Sequence, residues 1–193
     1  MAQALLDVGA MTRCLVVMAV IALSTANARA EPEPRGSVGL GASFGGLSHV
    51  SGLALAGLDG TWRHGADTWL HVMVAGGVPF VEVTGSAAEV RVGLEHRRQD
   101  CLRGCLYGGI DLAYVDADVI DDPGETHARG LLVIPRGGID VGGDAVRFRL
   151  GIELLLGGAR VRERLPDLVV PMDTTATRFV GGFALTAGVA AQF

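Results

Sequence analysis

The chain has 193 residues, of which 29 are glycine, and its formal net charge at pH 7 is −5. This length leaves room for one domain of ordinary size. The acidic balance argues against nucleic acid as a partner, because nucleic-acid-binding domains carry an excess of basic side chains.

The first thirty residues have the pattern of a secretory signal peptide. Arg13 precedes an apolar run over residues 15–23, and Ala28-Arg29-Ala30 matches a small-residue cleavage site. The run is too short for a transmembrane helix, which requires about 20 apolar residues. We therefore predict that residues 1–30 are a cleaved signal peptide and that residues 31–193 form one exported domain.

The mean hydropathy of the chain is positive, although the exported part holds no continuous apolar run of the length of a membrane-spanning helix. A transmembrane β-barrel accounts for both observations. Successive residues of each strand face lipid and lumen in turn, and closure leaves no unpaired backbone edge.

Alternation of apolar residues with small or polar ones predicts eight strands. Strand two, at about 51–62, is the irregular one: Leu53, Leu55 and Leu58 do not share one parity, which predicts a β-bulge or a glycine-eased bend. In the other strands the predicted outward positions are Val38, Leu40, Ala42 and Phe44; Leu70, Val72, Val74 and Val78; Val90, Val92 and Leu94; Leu106, Ile110, Leu112 and Tyr114; Leu131, Val133 and Ile139; Val146, Phe148, Leu150, Ile152, Leu154 and Leu156; and the odd-numbered residues from Phe179 to Phe193.

The connections between these strands alternate in length, as expected of an outer-membrane barrel with short periplasmic turns and longer outer loops. An even number of strands returns both termini to the periplasm. The predicted periplasmic turns are 63–67, 99–104 and 142–144, and the predicted outer loops are 47–51, 79–86, 116–128 and 159–177.

The inward positions carry a near balance of acids and arginines. Eight strands enclose a lumen that side chains fill, and buried charges are tolerated when they are paired. We predict a lumen plugged by paired charges, with Asp140 and Arg147 as cross-strand neighbours; an ion-conducting path is the alternative. The luminal residues are Asp59, Glu89, Arg91, Glu95, Arg97, Asp111, Arg136, Asp140, Arg147, Arg149 and Glu153.

Cys101 and Cys105 lie in a Cys-Leu-Arg-Gly-Cys segment of an exported chain. This context predicts a short-loop disulfide. A redox or metal role would require a Cys-x-x-Cys spacing or nearby histidines.

No catalytic, metal or cofactor site is predicted. Ser48 and His49 are adjacent, so their side chains point apart in an extended segment, and His127 is interpreted as a loop residue. The acidic segment 116–125 departs from the calcium-loop pattern, since Asp121 stands at the glycine position. A solvated acidic loop is preferred over divalent-cation binding.

Three arginines follow strand seven. If its parity continues past Leu156, then Arg160, Arg162 and Arg164 point outward just above the apolar belt. There they would contact lipopolysaccharide phosphates through bidentate hydrogen bonds. An ordinary charged loop is the alternative.

The C-terminal strand carries the most specific family signal, since Phe193 is preceded by alternate apolar residues from Leu185 to Ala191. Across residues 36–193 the chain resembles the small OmpA/OmpX-type outer-membrane barrels. This resemblance implies an all-β fold, an eight-stranded antiparallel up-and-down transmembrane β-barrel, located in the bacterial outer membrane. It also implies that Phe193 belongs to the signal read by the barrel-assembly machinery. The chain departs from the family in its thin aromatic girdle, for which the candidates are Trp62, Phe80, Tyr114 and Phe179.

At the level of function we expect a structural or envelope-interaction barrel. Its partners would be outer-membrane lipid and lipopolysaccharide, with periplasmic chaperones and the barrel-assembly machinery during biogenesis. A small solute channel or porin-like transporter is the alternative, and a lipid-A-modifying enzyme is a more distant one. A soluble exported β-protein is the structural alternative, because alternation alone does not separate a sandwich from a barrel.

Overall fold

The computed structural model describes residues 35–48, 50–80, 84–97, 104–121, 124–143, 145–165 and 172–193. The predicted signal peptide lies outside these ranges. Among the described residues no helix is long and apolar enough to span a bilayer. The described residues form eight strands: β1 (Gly36–Leu47), β2 (Val50–Arg63), β3 (Thr68–Phe80), β4 (Thr84–Arg97), β5 (Gly104–Asp121), β6 (Gly124–Gly142), β7 (Val146–Leu165) and β8 (Met172–Gln192).

Each strand pairs antiparallel with the next, and β8 pairs with β1, so the sheet closes into an eight-stranded up-and-down barrel. This confirms the predicted fold class. Phe193 completes the seam between the first and last strands: its carbonyl accepts hydrogen bonds from the backbone N–H groups of Arg35 (2.8 Å) and Gly36 (3.1 Å). Its ring occupies the space that a side chain on Gly36 would need. We call the end of the barrel near Phe193 the inner rim and the opposite end the outer rim.

The barrel carries apolar side chains outside and charged side chains inside. Leu106 is 73% exposed and Phe179 is 70% exposed, whereas Arg91 and Glu95 in the lumen are each 1% exposed. A protein surrounded by water would reverse this distribution, because exposed apolar surface and buried charge are both unfavourable there. The arrangement suits a barrel surrounded by lipid and argues against the soluble alternative.

The β-bulge or bend predicted at the leucines of strand two is not present in the structure. The pairing of β2 with β1 and β3 runs without a register shift from Gly52 to Trp62. Leu53 and Leu55 face the lumen and are buried, while Leu58 lies on the opposite face. Parity is therefore constant, and the two leucines broke the expected pattern because the outer half of the lumen is apolar.

Two of the predicted outer loops are largely strand. The segment predicted as the loop 116–128 belongs mostly to β5 and β6, and the segment 159–177 belongs mostly to β7 and β8. The cross-strand ladder continues in register through both. The outward residues become charged where the strands pass beyond the apolar belt, and this change of polarity gives the strand ends a loop-like sequence.

The lumen has two layers. Acids, arginines and His71 fill the part towards the inner rim, and an apolar layer fills the part towards the outer rim. The buried residues of the apolar layer include Leu53, Leu55, Ala75, Ala87, Val115, Val119, Leu132, Ile134, Leu155, Val161 and Val180.

Candidate functional site

The luminal charges occupy the positions that alternation predicted. Strand β4 contributes four of the predicted luminal charges, β7 three, β6 two and β5 one, and Asp59 on β2 completes the set. Because each strand turns every second side chain inward, residues far apart in sequence meet in the lumen. The charges form two ion-paired groups, one centred on Arg91 and one centred on Glu95.

The Arg91 guanidinium lies between two carboxylates from opposite walls. It donates to both oxygens of Glu89, at 2.5 and 2.9 Å, and to Oε2 of Glu153 at 2.6 Å. All three side chains are buried. Glu89 on β4 and Glu153 on β7 are thus linked across the lumen by one cation.

Glu95 is shared by three arginines. Its carboxylate accepts from Arg97 Nε, and its Oε2 lies 2.7 Å from Arg136 Nη2 and 3.4 Å from Arg149 Nη1. Arg136 is also 2.9 Å from Asp111. Strands β4, β5, β6 and β7 are therefore joined through buried charges.

The predicted pairing of Asp140 with Arg147 needs a correction in register. The direct cross-strand partner of Asp140 is Arg149, and Arg147 is opposite Gly142. Arg147 nevertheless reaches Asp140 diagonally, at 3.1 Å, while Arg149 lies at 3.5 Å. The ion pair is present and the register is shifted by one inward position, because β6 continues to Gly142 and β7 begins only at Val146, so that the turn lies one residue later than predicted.

His71 was missed as a member of this network. It is 1% exposed, with Nε2 2.6 Å from Asp59 and Nδ1 2.9 Å from Asp111. Nε2 is within hydrogen-bond distance of Asp59, and Nδ1 is within ion-pair distance of Asp111, so the ring lies between two carboxylates. The signal in the sequence was its inward parity on a strand next to Asp59.

Two aromatic rings support the arginines of the Glu95 group. The Arg97 guanidinium lies 4.7 Å from the centre of the Trp69 ring, and that of Arg149 lies 4.8 Å from the centre of the Tyr107 ring. A guanidinium over an aromatic face is attracted by the ring quadrupole. These contacts hold the cations in place and fill the lumen.

Two small cavities lie in the described part of the lumen. One cavity of about 40 Å³ borders Asp59, His71 and Arg149, and one of about 20 Å³ borders Arg91 and Leu132. Each has room for one or a few water molecules. Within the described ranges, no group of three His, Cys, Asp or Glu side chains is arranged to hold a metal ion.

The predicted disulfide involves Cys101, which lies outside the described residues. Cys105 is buried on the inner face of β5, and Arg147 Nη2 lies 3.4 Å from its Sγ. The disulfide between Cys101 and Cys105 therefore stays a prediction.

The outer faces of β5 to β8 form cross-strand rows that change from apolar to charged in a single step. The first row beyond the apolar belt contains both acidic and basic residues. From the middle of the barrel towards the outer rim the rows are Tyr114, Leu131, Gly158 and Phe179; then Asp116, Arg129, Arg160 and Thr177; then Asp118, His127, Arg162 and Thr175; then Ile120, Glu125, Arg164 and Asp173.

Arg160, Arg162 and Arg164 all point outward and are exposed, as predicted. They differ in their partners. Arg162 donates to both oxygens of Asp173, at 2.9 and 2.5 Å, and these bonds hold the pKa of the Asp173 carboxyl below its ordinary value. Arg164 lies 3.9 Å from Glu125. Arg160 has no carboxylate partner among the described residues.

The candidate catalytic residues do not share contacts. Ser48 Oγ accepts a hydrogen bond from the backbone N–H of Gly181 at 3.0 Å. His127 pairs with Asp118 on the outer face of β5 and β6. His49 lies outside the described residues.

Solved structures with a similar fold are outer-membrane barrels. Neisserial surface protein A (NspA) has a TM-score of 0.57 and 11% identity, covering 82% of this chain and 96% of that chain. The N-terminal β-barrel domain of Pseudomonas aeruginosa OprF has a TM-score of 0.54 and 12% identity, covering 83% and 100%. The outer membrane protein AlkL has a TM-score of 0.55 and 11% identity, covering 86% and 93%. No protein-family model and no curated protein sequence matches the chain.

These similarities identify the fold class. The chain folds as a small eight-stranded β-barrel of the kind found in bacterial outer membranes, as its resemblance to the OmpA/OmpX-type barrels implied.

Proposed function

We propose that this protein is an integral barrel of the bacterial outer membrane with a structural or envelope-interaction role and a lumen closed to solutes. The observation that carries the proposal is the ion-paired network that crosses the lumen around Glu95. A solute path would require several of these buried pairs to separate, and leaving a buried charge unpaired is costly.

The apolar layer adds a second barrier in series. Leu132 and Ile134 are buried in the lumen on the outer side of the network. An ion passing them would lose its hydration without gaining a polar partner. The lumen therefore combines a charged layer and an apolar layer in series, which supports the proposal that it is closed to solutes.

We expect no unitary current steps when the purified, folded protein is inserted into a planar bilayer between symmetric potassium chloride solutions. A porin inserted in the same bilayer serves as the positive control. Reproducible steps whose size scales with salt concentration would favour the alternative, a small solute channel.

Location is tested separately from conductance. The protein should fractionate with outer membranes, and the folded barrel should migrate faster on a denaturing gel before heating than after. Recovery in the soluble periplasmic fraction would exclude the membrane proposal.

The proposal includes no catalytic activity. Ser48 and His127 have separate hydrogen-bond partners, as described above, and this supports a non-enzymatic role. A mass change in lipid A when the protein is expressed would support the third alternative, a lipid-A-modifying enzyme.

Assembly partners follow from the proposed location. The barrel-assembly machinery and periplasmic chaperones are proposed to act on the chain during biogenesis, with Phe193 as part of the recognised strand. Its position at the seam between β8 and β1 supports this role, since the pairing of these two strands closes the barrel.

A further inference from the structure

Arg129 on β6 and Arg160 on β7 are direct cross-strand partners on the outer face of the barrel. Residues paired in this way have Cβ atoms about 5 Å apart, and like charges opposite one another are unfavourable. Asp116 lies 3.1 Å from Arg129 Nε. Because Arg160 has no carboxylate partner among the described residues, this row carries an excess positive charge that an anion would neutralise.

The two rows above are different, since their arginines are already paired with carboxylates. Arg162 is bound by Asp173, and Arg164 lies near Glu125. Of the three outward arginines near the end of β7, Arg160 is thus the one available to a ligand. Arg129, which the sequence did not single out, lies opposite it.

An open slot lies one row below the arginines, on the apolar side. It is centred on Gly158, where a Cβ atom would meet no other atom within 4 Å. Leu131 and Phe179, the cross-strand neighbours of Gly158, form its walls and are exposed. Two residues of a strand span about 7 Å, so the guanidinium groups lie one such step above the slot.

A charged pair above an apolar slot matches an amphiphile with a phosphate at its head and an acyl chain below it. Arginine suits phosphate because its planar donors bind oxygens in pairs. We propose that Arg129, Arg160 and the slot at Gly158 form a binding site for one phosphorylated lipid of the outer leaflet, the lipid A part of lipopolysaccharide. This inference rests on the proposed function, since it requires the outer rim to face lipopolysaccharide.

The test measures the dissociation constant of fluorescently labelled, bisphosphorylated lipid A with the folded protein in nanodiscs. Arg160→Gln should weaken binding about tenfold, and the Arg129→Gln/Arg160→Gln double variant should weaken it further. Arg164→Gln is the matched control and should stay within about twofold of the wild type, because Arg164 is opposed by Glu125. Arg160→Gln removes no ion pair among the described residues, so its folding, checked by heat-dependent gel migration, should be unchanged.

Two further measurements distinguish binding of lipid A from binding of free phosphate. Lipid A that lacks both phosphates should bind the wild type and Arg160→Gln equally weakly, and Gly158→Leu, which fills the slot, should weaken binding of phosphorylated lipid A roughly fivefold. The proposal is overturned if Arg160→Gln behaves like Arg164→Gln, or if millimolar inorganic phosphate displaces the lipid completely, which would indicate a simple anion site.

Conductance and membrane fractionation are measured on the same preparations. If current steps appear while lipid A binding is unchanged, the proposal of a closed lumen is wrong and the proposal of a lipid site is retained. Loss of the predicted binding differences in a protein that still fractionates with outer membranes would overturn the lipid site alone.

Discussion

Replacing Glu95 with glutamine should lower the free energy of unfolding by about 3–5 kcal/mol, the range observed when one partner of a buried ion pair is removed. Glutamine keeps the size of the side chain and removes its charge. Arg97, Arg136 and Arg149 would then face one another around a neutral group, with only their other carboxylate contacts remaining. Urea unfolding of the protein in lipid vesicles, followed by tryptophan fluorescence, measures the change.

Glu125→Gln is the matched control, since Glu125 makes its ion pair with Arg164 at 3.9 Å on the exposed outer face. A pair in water contributes little, so its loss should cost less than about 1 kcal/mol. Adding Arg149→Gln to Glu95→Gln should restore part of the lost stability by removing one uncompensated cation. Equal effects of Glu95→Gln and Glu125→Gln would show that the luminal charges are not coupled as the distances indicate.

Replacing Gly182 with alanine should destabilise the barrel by about 1–3 kcal/mol, the typical cost of overpacking a close contact. Gly182 lies on β8 where it meets β1, and an added Cβ atom would lie 1.8 Å from the carbonyl oxygen of Gly46 and 3.2 Å from the Cα of Leu47. The main chain of one strand would have to move at the seam. Folding yield by gel migration and the free energy of unfolding both measure the effect.

Gly181→Ala separates this contact from a general effect of glycine in the strand. The nearest atom to an added Cβ at Gly181 is Phe179 Cε1 at 3.4 Å, an ordinary contact. We expect Gly181→Ala to lie within about 0.5 kcal/mol of the wild type. If both variants are equally stable, the close approach of β8 to β1 does not limit closure.

Much of the barrel was predictable because period two is a local property. The alternation from Phe179 to Phe193 identifies the outward face of β8 without any knowledge of the neighbouring strands. Where both faces were apolar the same reasoning failed, as at Leu53 and Leu55, which pack in the apolar layer of the lumen. It also failed where β5 to β8 run past the apolar belt, because the charged outer rows there resemble loop sequence.

The candidate sites were predictable only in part. Parity placed Glu95 and Asp140 in the lumen and Arg160 outside, but the choice of partner depends on register across strands. A shift of one inward position makes Arg149 the direct neighbour of Asp140. The same dependence explains why Arg129, on β6, could not be matched with Arg160.

The sequence by itself determined that the strands alternate, which charged side chains face inward and that the charges inside nearly balance, because each of these follows from the order of residues along one strand. Only the tertiary structure decided which charges meet, that His71 joins two acids, and that Arg160 stands beside Arg129 above an open slot. These contacts join strands that are distant in sequence. They depend on the register with which the barrel closes, and no single strand carries that information.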